Sequence, residues 1–100
     1  MPRCDSLLAD ASTNPGGLSF TEVCRLAVCW GYEHKSTRGS HSKYKHQHLK
    51  LPQEEAIASF QKGKNGEAKK YQVEQLLAKI EYIQAAFPEY DPDDPSTHSA

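Results

Sequence analysis

The chain has 100 residues, 37% of them hydrophobic and 25% charged, with a formal net charge of −1. That length suits one domain with a small core, and no apolar run approaches the ~20 residues of a membrane-spanning helix. Composition therefore excludes an integral helical membrane protein and describes a soluble globular one.

Charge is unevenly placed. Residues 1–18 balance at −1, residues 19–88 hold eleven Lys/Arg against seven Asp/Glu, and residues 89–100 carry −4. A basic body is followed by an acidic end. Within residues 32–50, five Lys/Arg stand against Glu33 alone. Clustered positive charge favours polyanions, although an ordinary solvated face can look the same.

Residues 1–18 are expected to form a mobile arm and linker. Asp5 offers at most a cap for a short turn through Leu7 and Leu8, and Asn14-Pro15-Gly16-Gly17 interrupts regular structure. The opening MPRCDSLLAD lacks the charged-then-apolar layout of a secretory signal, so a cytoplasmic location is expected. Cys4, Cys24 and Cys29 are then expected as free thiols.

The first helix is predicted over residues 20–30. Ser19 and Glu22 have capping-box spacing, and Phe20, Val23, Cys24, Ala27 and Trp30 fall on one stripe. Gly31 is the stop. Residues 32–36 and 41–46 read as a hairpin around a turn at 37–40, and residues 56–60 as a third strand. Residues 47–53, including His48, form a loop, and Lys62-Gly63-Lys64-Asn65-Gly66 is a basic, flexible one. The second helix is predicted over residues 70–87, with Val73, Leu76, Leu77, Ile80, Ile83 and Phe87 on its apolar stripe and Pro88 after it. Residues 89–100 are expected to be an acidic disordered tail. The sum is an α+β fold: a small three-stranded antiparallel sheet with two helices on one face, in the order α-β-β-β-α.

Side-chain alternation then places the candidate chemistry. In an extended segment through residues 40–46, His41, Lys43 and Lys45 share the exposed face, while Ser42, Tyr44 and His46 point inward. Gly39, between Arg38 and Ser40, supplies the tight turn before them. An imidazole beside two ammonium groups is a platform for a phosphodiester. RNA brings its own nucleophile, the 2′-hydroxyl, so the protein need only move protons and stabilise charge. His41 is the candidate general base or acid. Arg38, Lys43 and Lys45 are candidate phosphate ligands, with Lys35 in support, and Gly39 and Ser40 would bring backbone close to the RNA. A plain surface histidine is the alternative for His41. His46 is expected to be structural, His34 to lie on either face, and Trp30 to be core. Tyr71 and Tyr82 lie opposite the apolar stripe, and Lys62, Lys64, Lys69 and Lys70 either add RNA contacts or are simply solvated. A zinc site is not expected. Cys24 and Cys29 diverge by roughly 140° on a helix and lack structural-zinc spacing.

Gly39-Ser40-His41, followed by Tyr44-Lys45-His46, resembles the key segment of the HicA toxins of bacterial toxin–antitoxin systems. The run GKNGEAKKYQVEQLL, residues 63–77, is similar to the start of the last helix in one HicA subgroup, and LSFTEVCRLAVCWGYEHK, residues 18–35, to its first helix and strand. Ser42 and Lys43 stand where many members carry a second histidine and an apolar residue, and Lys70 where a proline is common. The resemblance places a HicA-like ribonuclease domain at residues 19–88. It implies a fold like the double-stranded-RNA-binding domain and metal-independent endoribonuclease activity on mRNA, with His41 as the essential histidine. It also implies a HicB-like antitoxin as protein partner and no cofactor. The alternatives are a non-catalytic RNA-binding module on the same basic face, or an inactive relative acting in protein interaction.

Overall fold

Ser19 Oγ accepts the Glu22 N–H at 3.1 Å while the Glu22 carboxylate accepts the Ser19 N–H at 2.9 Å. This reciprocal cap starts a helix where the sequence places it. In the computed structural model, which describes residues 4–47 and 49–92, the elements are α1 (Cys4–Thr13), a short 3-10 turn (Pro15–Gly17), α2 (Phe20–Cys29), β1 (Tyr32–Arg38), β2 (His41–His46), α3 (Gln53–Ala56), β3 (Ile57–Gln61) and α4 (Lys70–Ala86). The class is α+β, with one antiparallel sheet in the order β1-β2-β3.

The core lies between the sheet and the helices. Val23, Leu26 and Ala27 of α2 and Val73, Leu76, Ile80 and Ile83 of α4 are fully buried, and they join Tyr44, Ala58 and Phe60 from the sheet's inner face. Leu26 is a core residue that the predicted α2 stripe left out. Tyr44 meets Phe60 edge-on at 5.6 Å between ring centroids. The other sheet face is left open, as an amphipathic antiparallel sheet allows.

The expected N-terminal arm is corrected. Residues 4–13 form a regular helix whose Leu7 and Ala11 are 1% and 0% exposed, inside the same core. Burying these two side chains offsets the cost of ordering a segment with a weak helical pattern. A disulfide between Cys4 and Cys29 ties α1 to the end of α2, so the expectation of three free thiols fails for two of them. Cys24 alone remains a free thiol.

Gly31 ends α2 with φ +96, and a Cβ there would stand 2.5 Å from His46 Nε2 and 2.6 Å from Tyr90 Oη. Only glycine satisfies both the conformation and the space. Tyr90 also packs on Trp30 and His46, with both pairs of ring centroids 5.9 Å apart. The packed unit therefore extends past the expected boundary at residue 88. The remainder of the predicted acidic tail, residues 93–100, lies outside the described residues, as do residues 1–3 and the loop position of His48.

The basic segment after β3 is ordered rather than a flexible loop. The Phe20 N–H donates to Gly66 O at 2.8 Å and the Ala68 N–H to Leu18 O at 3.0 Å, which stitches the segment to the start of α2. Glu67 accepts the Asn65 N–H at 2.8 Å inside it. Next along the chain, the buried Gln72 on the first turn of α4 accepts the Gln61 N–H at 2.7 Å and so holds the end of β3. No helix among the described residues is long and apolar enough to cross a membrane.

Candidate functional site

β2 alternates exposed and buried along all six residues, so His41, Lys43 and Lys45 stand on the open face and Ser42, Tyr44 and His46 point inward. Its neighbours complete the surface. Directly opposed residues of antiparallel strands share a face. Arg38 and Gln61 flank His41, Ser36 and Ser59 flank Lys43, and Glu33 and Ile57 flank Lys45. Three cross-strand rows therefore run along β2, about 6.8 Å apart at 3.4 Å per residue.

Arg38 owes its place to a bulge. Up to His34↔Tyr44 the β1–β2 register is regular. Lys35 is then left without a partner, and pairing resumes with Ser36↔Lys43 and Arg38↔His41. Strict alternation from Glu33 would send Arg38 to the inner face; the extra residue returns it to the outer one. The strand is accordingly longer than predicted, and the turn shrinks to Gly39 and Ser40. Gly39 has φ +61, and a Cβ there would meet nothing within 4 Å. Its glycine serves the turn, with positive φ at the first central position of a two-residue hairpin loop. Ser40 O accepts the Lys62 N–H at 2.9 Å, which brings the basic segment beside the turn.

A cavity of about 440 Å³ opens at this end of the sheet, lined by Ser36, Thr37, Arg38, His41, Ser42, Lys43 and Ser59. Three of the seven predicted site residues line it, Arg38, His41 and Lys43, and Gly39 and Ser40 form the adjoining turn. Lys35 and Lys45 are less available. Lys35 Nζ lies 3.5 Å from Glu33 Oε1, and Glu33 is the cross-strand neighbour of Lys45. No sequence motif marks the serines that flank Lys43; only the pairing register reveals them.

Among the described residues, no hydrogen-bond partner orients the His41 ring. The other histidines serve the fold. His46 is buried; its Nδ1 accepts the Leu49 N–H at 3.2 Å, so Nε2 carries the proton and donates to Trp30 O at 2.7 Å. That pair of bonds sets a neutral tautomer. His34 shares Tyr44's face rather than His41's, standing edge-on to Tyr44 at 5.3 Å with Nε2 2.6 Å from Thr37 Oγ1. Thr37 Oγ1 continues to Ser42 Oγ at 3.2 Å, so Ser42 pairs inside the hairpin while Lys43 faces out.

Burial pushes the Cys24 thiol up, partly opposed by its hydrogen bond with the Tyr44 hydroxyl. It is therefore not held as a thiolate nucleophile. Cys29 is bonded to Cys4, and among the described residues no group of three or more His, Cys, Asp or Glu side chains gathers as a metal ion would require. Trp30 is buried, whereas Tyr71 and Tyr82 are exposed on α4, away from the open sheet face.

The arrangement offers a titratable imidazole between a guanidinium and an amide, one row from an ammonium between two hydroxyls. Such a set can bind an oxyanion and exchange a proton. In comparisons with known proteins, no family model, no curated protein and no solved structure matches the chain.

Proposed function

We propose that the protein is a metal-independent endoribonuclease that cleaves mRNA, the toxin of a toxin–antitoxin pair. The observation that carries this proposal is the cross-strand pair Arg38–His41 on an open face, with Lys43 in the next row. The sequence resemblance to HicA toxins at residues 18–35, 39–46 and 63–77 supports it.

In this scheme the RNA backbone lies on the open face. His41 takes the proton of the 2′-hydroxyl as that oxygen attacks the adjacent phosphorus, or returns a proton to the departing 5′-oxygen. Arg38 and Lys43 stabilise charge on the phosphate oxygens. The two-residue turn at Gly39 leaves the backbone beside His41 unobstructed. A HicB-like antitoxin would neutralise the toxin by covering this face, and the substrate places the activity in the cytoplasm.

A second scheme is favoured by one observation, the lack of any group that orients His41 among the described residues. A general base is ordinarily aligned by a partner, whereas a phosphate-binding module needs only the cations. Induced expression separates the two. Growth arrest with the parent and normal growth with His41→Ala at matched protein level is the expected result. Arrest with both would favour binding without cleavage.

A further inference from the structure

The three cross-strand rows of the open face are not electrically equal. The row at the turn carries Arg38 and His41 beside Gln61, and the middle row carries Lys43 between Ser36 and Ser59. Neither holds a carboxylate. The third row sets Glu33 directly across from Lys45, and Glu33 also meets Lys35 at 3.5 Å. Among the described residues Glu33 is the sole acidic residue on this face of the sheet, and it sits at the end away from the turn.

A polyanion therefore meets two rows with uncompensated positive charge and a third in which a carboxylate stands in its way. Two rows lie about 6.8 Å apart along β2, which is close to one nucleotide step of an extended strand. The middle row adds two hydroxyls, one on each side of Lys43, and these can donate to phosphate or pair with a ribose hydroxyl. Among the described residues no Phe, Tyr or Trp occupies the outer face, so the planar groups there are His41 and Arg38 at the turn end. In the Lys43 row, contact is with the backbone.

We infer that the open face takes one RNA strand along β2 with two consecutive phosphates, one at Arg38 and His41 and one at Lys43 between Ser36 and Ser59, and that Glu33 closes the path before Lys45. This rests on the proposed ribonuclease function and adds the footprint. The bond to be cut lies at the turn end, beside His41.

Salt dependence of binding tests the footprint. The probe is a fluorescent single-stranded 2′-O-methyl RNA, which lacks the nucleophile and so stays intact with the full chain. Each neutralised phosphate contributes about −0.7 to the slope of log K against log salt for single strands. The parent is expected near −1.4, Lys43→Ala near −0.7, and Lys45→Ala unchanged. Glu33→Gln, which removes the carboxylate opposite Lys45 while keeping side-chain shape, is expected to add one phosphate and steepen the slope to about −2.1. All these side chains are exposed, and a circular dichroism spectrum for each variant checks the fold. Equal losses for Lys43→Ala and Lys45→Ala, with no effect of Glu33→Gln, would overturn the two-phosphate path and leave the ribonuclease proposal standing. Absence of salt-dependent binding by the parent would overturn both.

Discussion

Arg38 faces His41 across the hairpin because Lys35, three residues earlier, has no partner in β2. The unpaired residue shifts β1 by one position, and a shift of one flips every later side chain to the other face. The open face thus gains a guanidinium beside its imidazole from a local irregularity in the edge strand.

The bulge makes an unusual deletion tolerable. Removing Lys35 restores uninterrupted pairing and still leaves Ser36 opposite Lys43 and Arg38 opposite His41. Its cost is expected to stay within about 1 kcal/mol, as for most surface changes. Removing Lys43 from the regular strand β2 instead takes Tyr44 or Ser42 out of inward register and should abolish cooperative unfolding. Thermal melts of the two deletions, compared with the parent, check this contrast.

Two glycines with positive φ should differ in how much they resist alanine. At Gly39 a Cβ meets open space, so Gly39→Ala costs only left-handed strain, about 1–2 kcal/mol. At Gly31 the Cβ would collide with His46 Nε2 and Tyr90 Oη in addition to the strain. Gly31→Ala should cost about 3–4 kcal/mol. At roughly 4–8 °C per kcal/mol for a domain of this size, the two melting temperatures separate clearly. Equal losses would mean that the packing around Gly31 yields.

Much of this fold was legible in the sequence, and the exceptions share a cause. The capping box at Ser19 and Glu22, the period-two pattern of residues 41–46 and the long stripe from Val73 to Ile83 are local signals, and the structure follows them. The helix at residues 4–13 has no such signal. Its order comes from burying Leu7 and Ala11 against other elements and from a cysteine 25 positions away. Tyr90 was likewise hidden in an acidic, proline-rich stretch and is retained by two aromatic neighbours. In the site, alternation alone placed His41, Lys43 and Lys45 correctly. It did not reveal that Glu33 opposes Lys45, nor that Ser36 and Ser59 flank Lys43, since both depend on which strand pairs with which and in what register.

The disulfide should add measurable stability in an oxidising buffer. Closing a loop between cysteines 25 positions apart is worth about 3.5 kcal/mol on the loop-entropy account. The double variant Cys4→Ser with Cys29→Ser should lose about that much, and so should the parent in excess dithiothreitol. The double variant itself should show no further loss with reductant. In a reducing cytoplasm α1 would then be held by the packing of Leu7, Leu8 and Ala11.

Acid should loosen the basic segment beside the turn. The hydrogen bond from its own backbone N–H, followed by that from Asn65, holds the Glu67 carboxyl below its ordinary value of 4.5. A depressed pKa stabilises the folded form above the unfolded value, and that contribution fades as pH falls through the lower folded value. The Asn65 amide resonance should therefore titrate with a midpoint below 4.5, and Glu67→Gln should remove the transition. A midpoint at or above the ordinary value would contradict the hydrogen-bonded carboxylate.

The most direct test of the central claim is cleavage of an mRNA transcript by the purified protein in the presence of a chelator, with His41→Ala at equal concentration. The account predicts 5′-hydroxyl and 2′,3′-cyclic phosphate ends from the parent and a rate lower by about 10²–10⁴ for the variant, in line with loss of a general acid or base. Equal rates for the two proteins, or no cleavage by a folded parent, would contradict it.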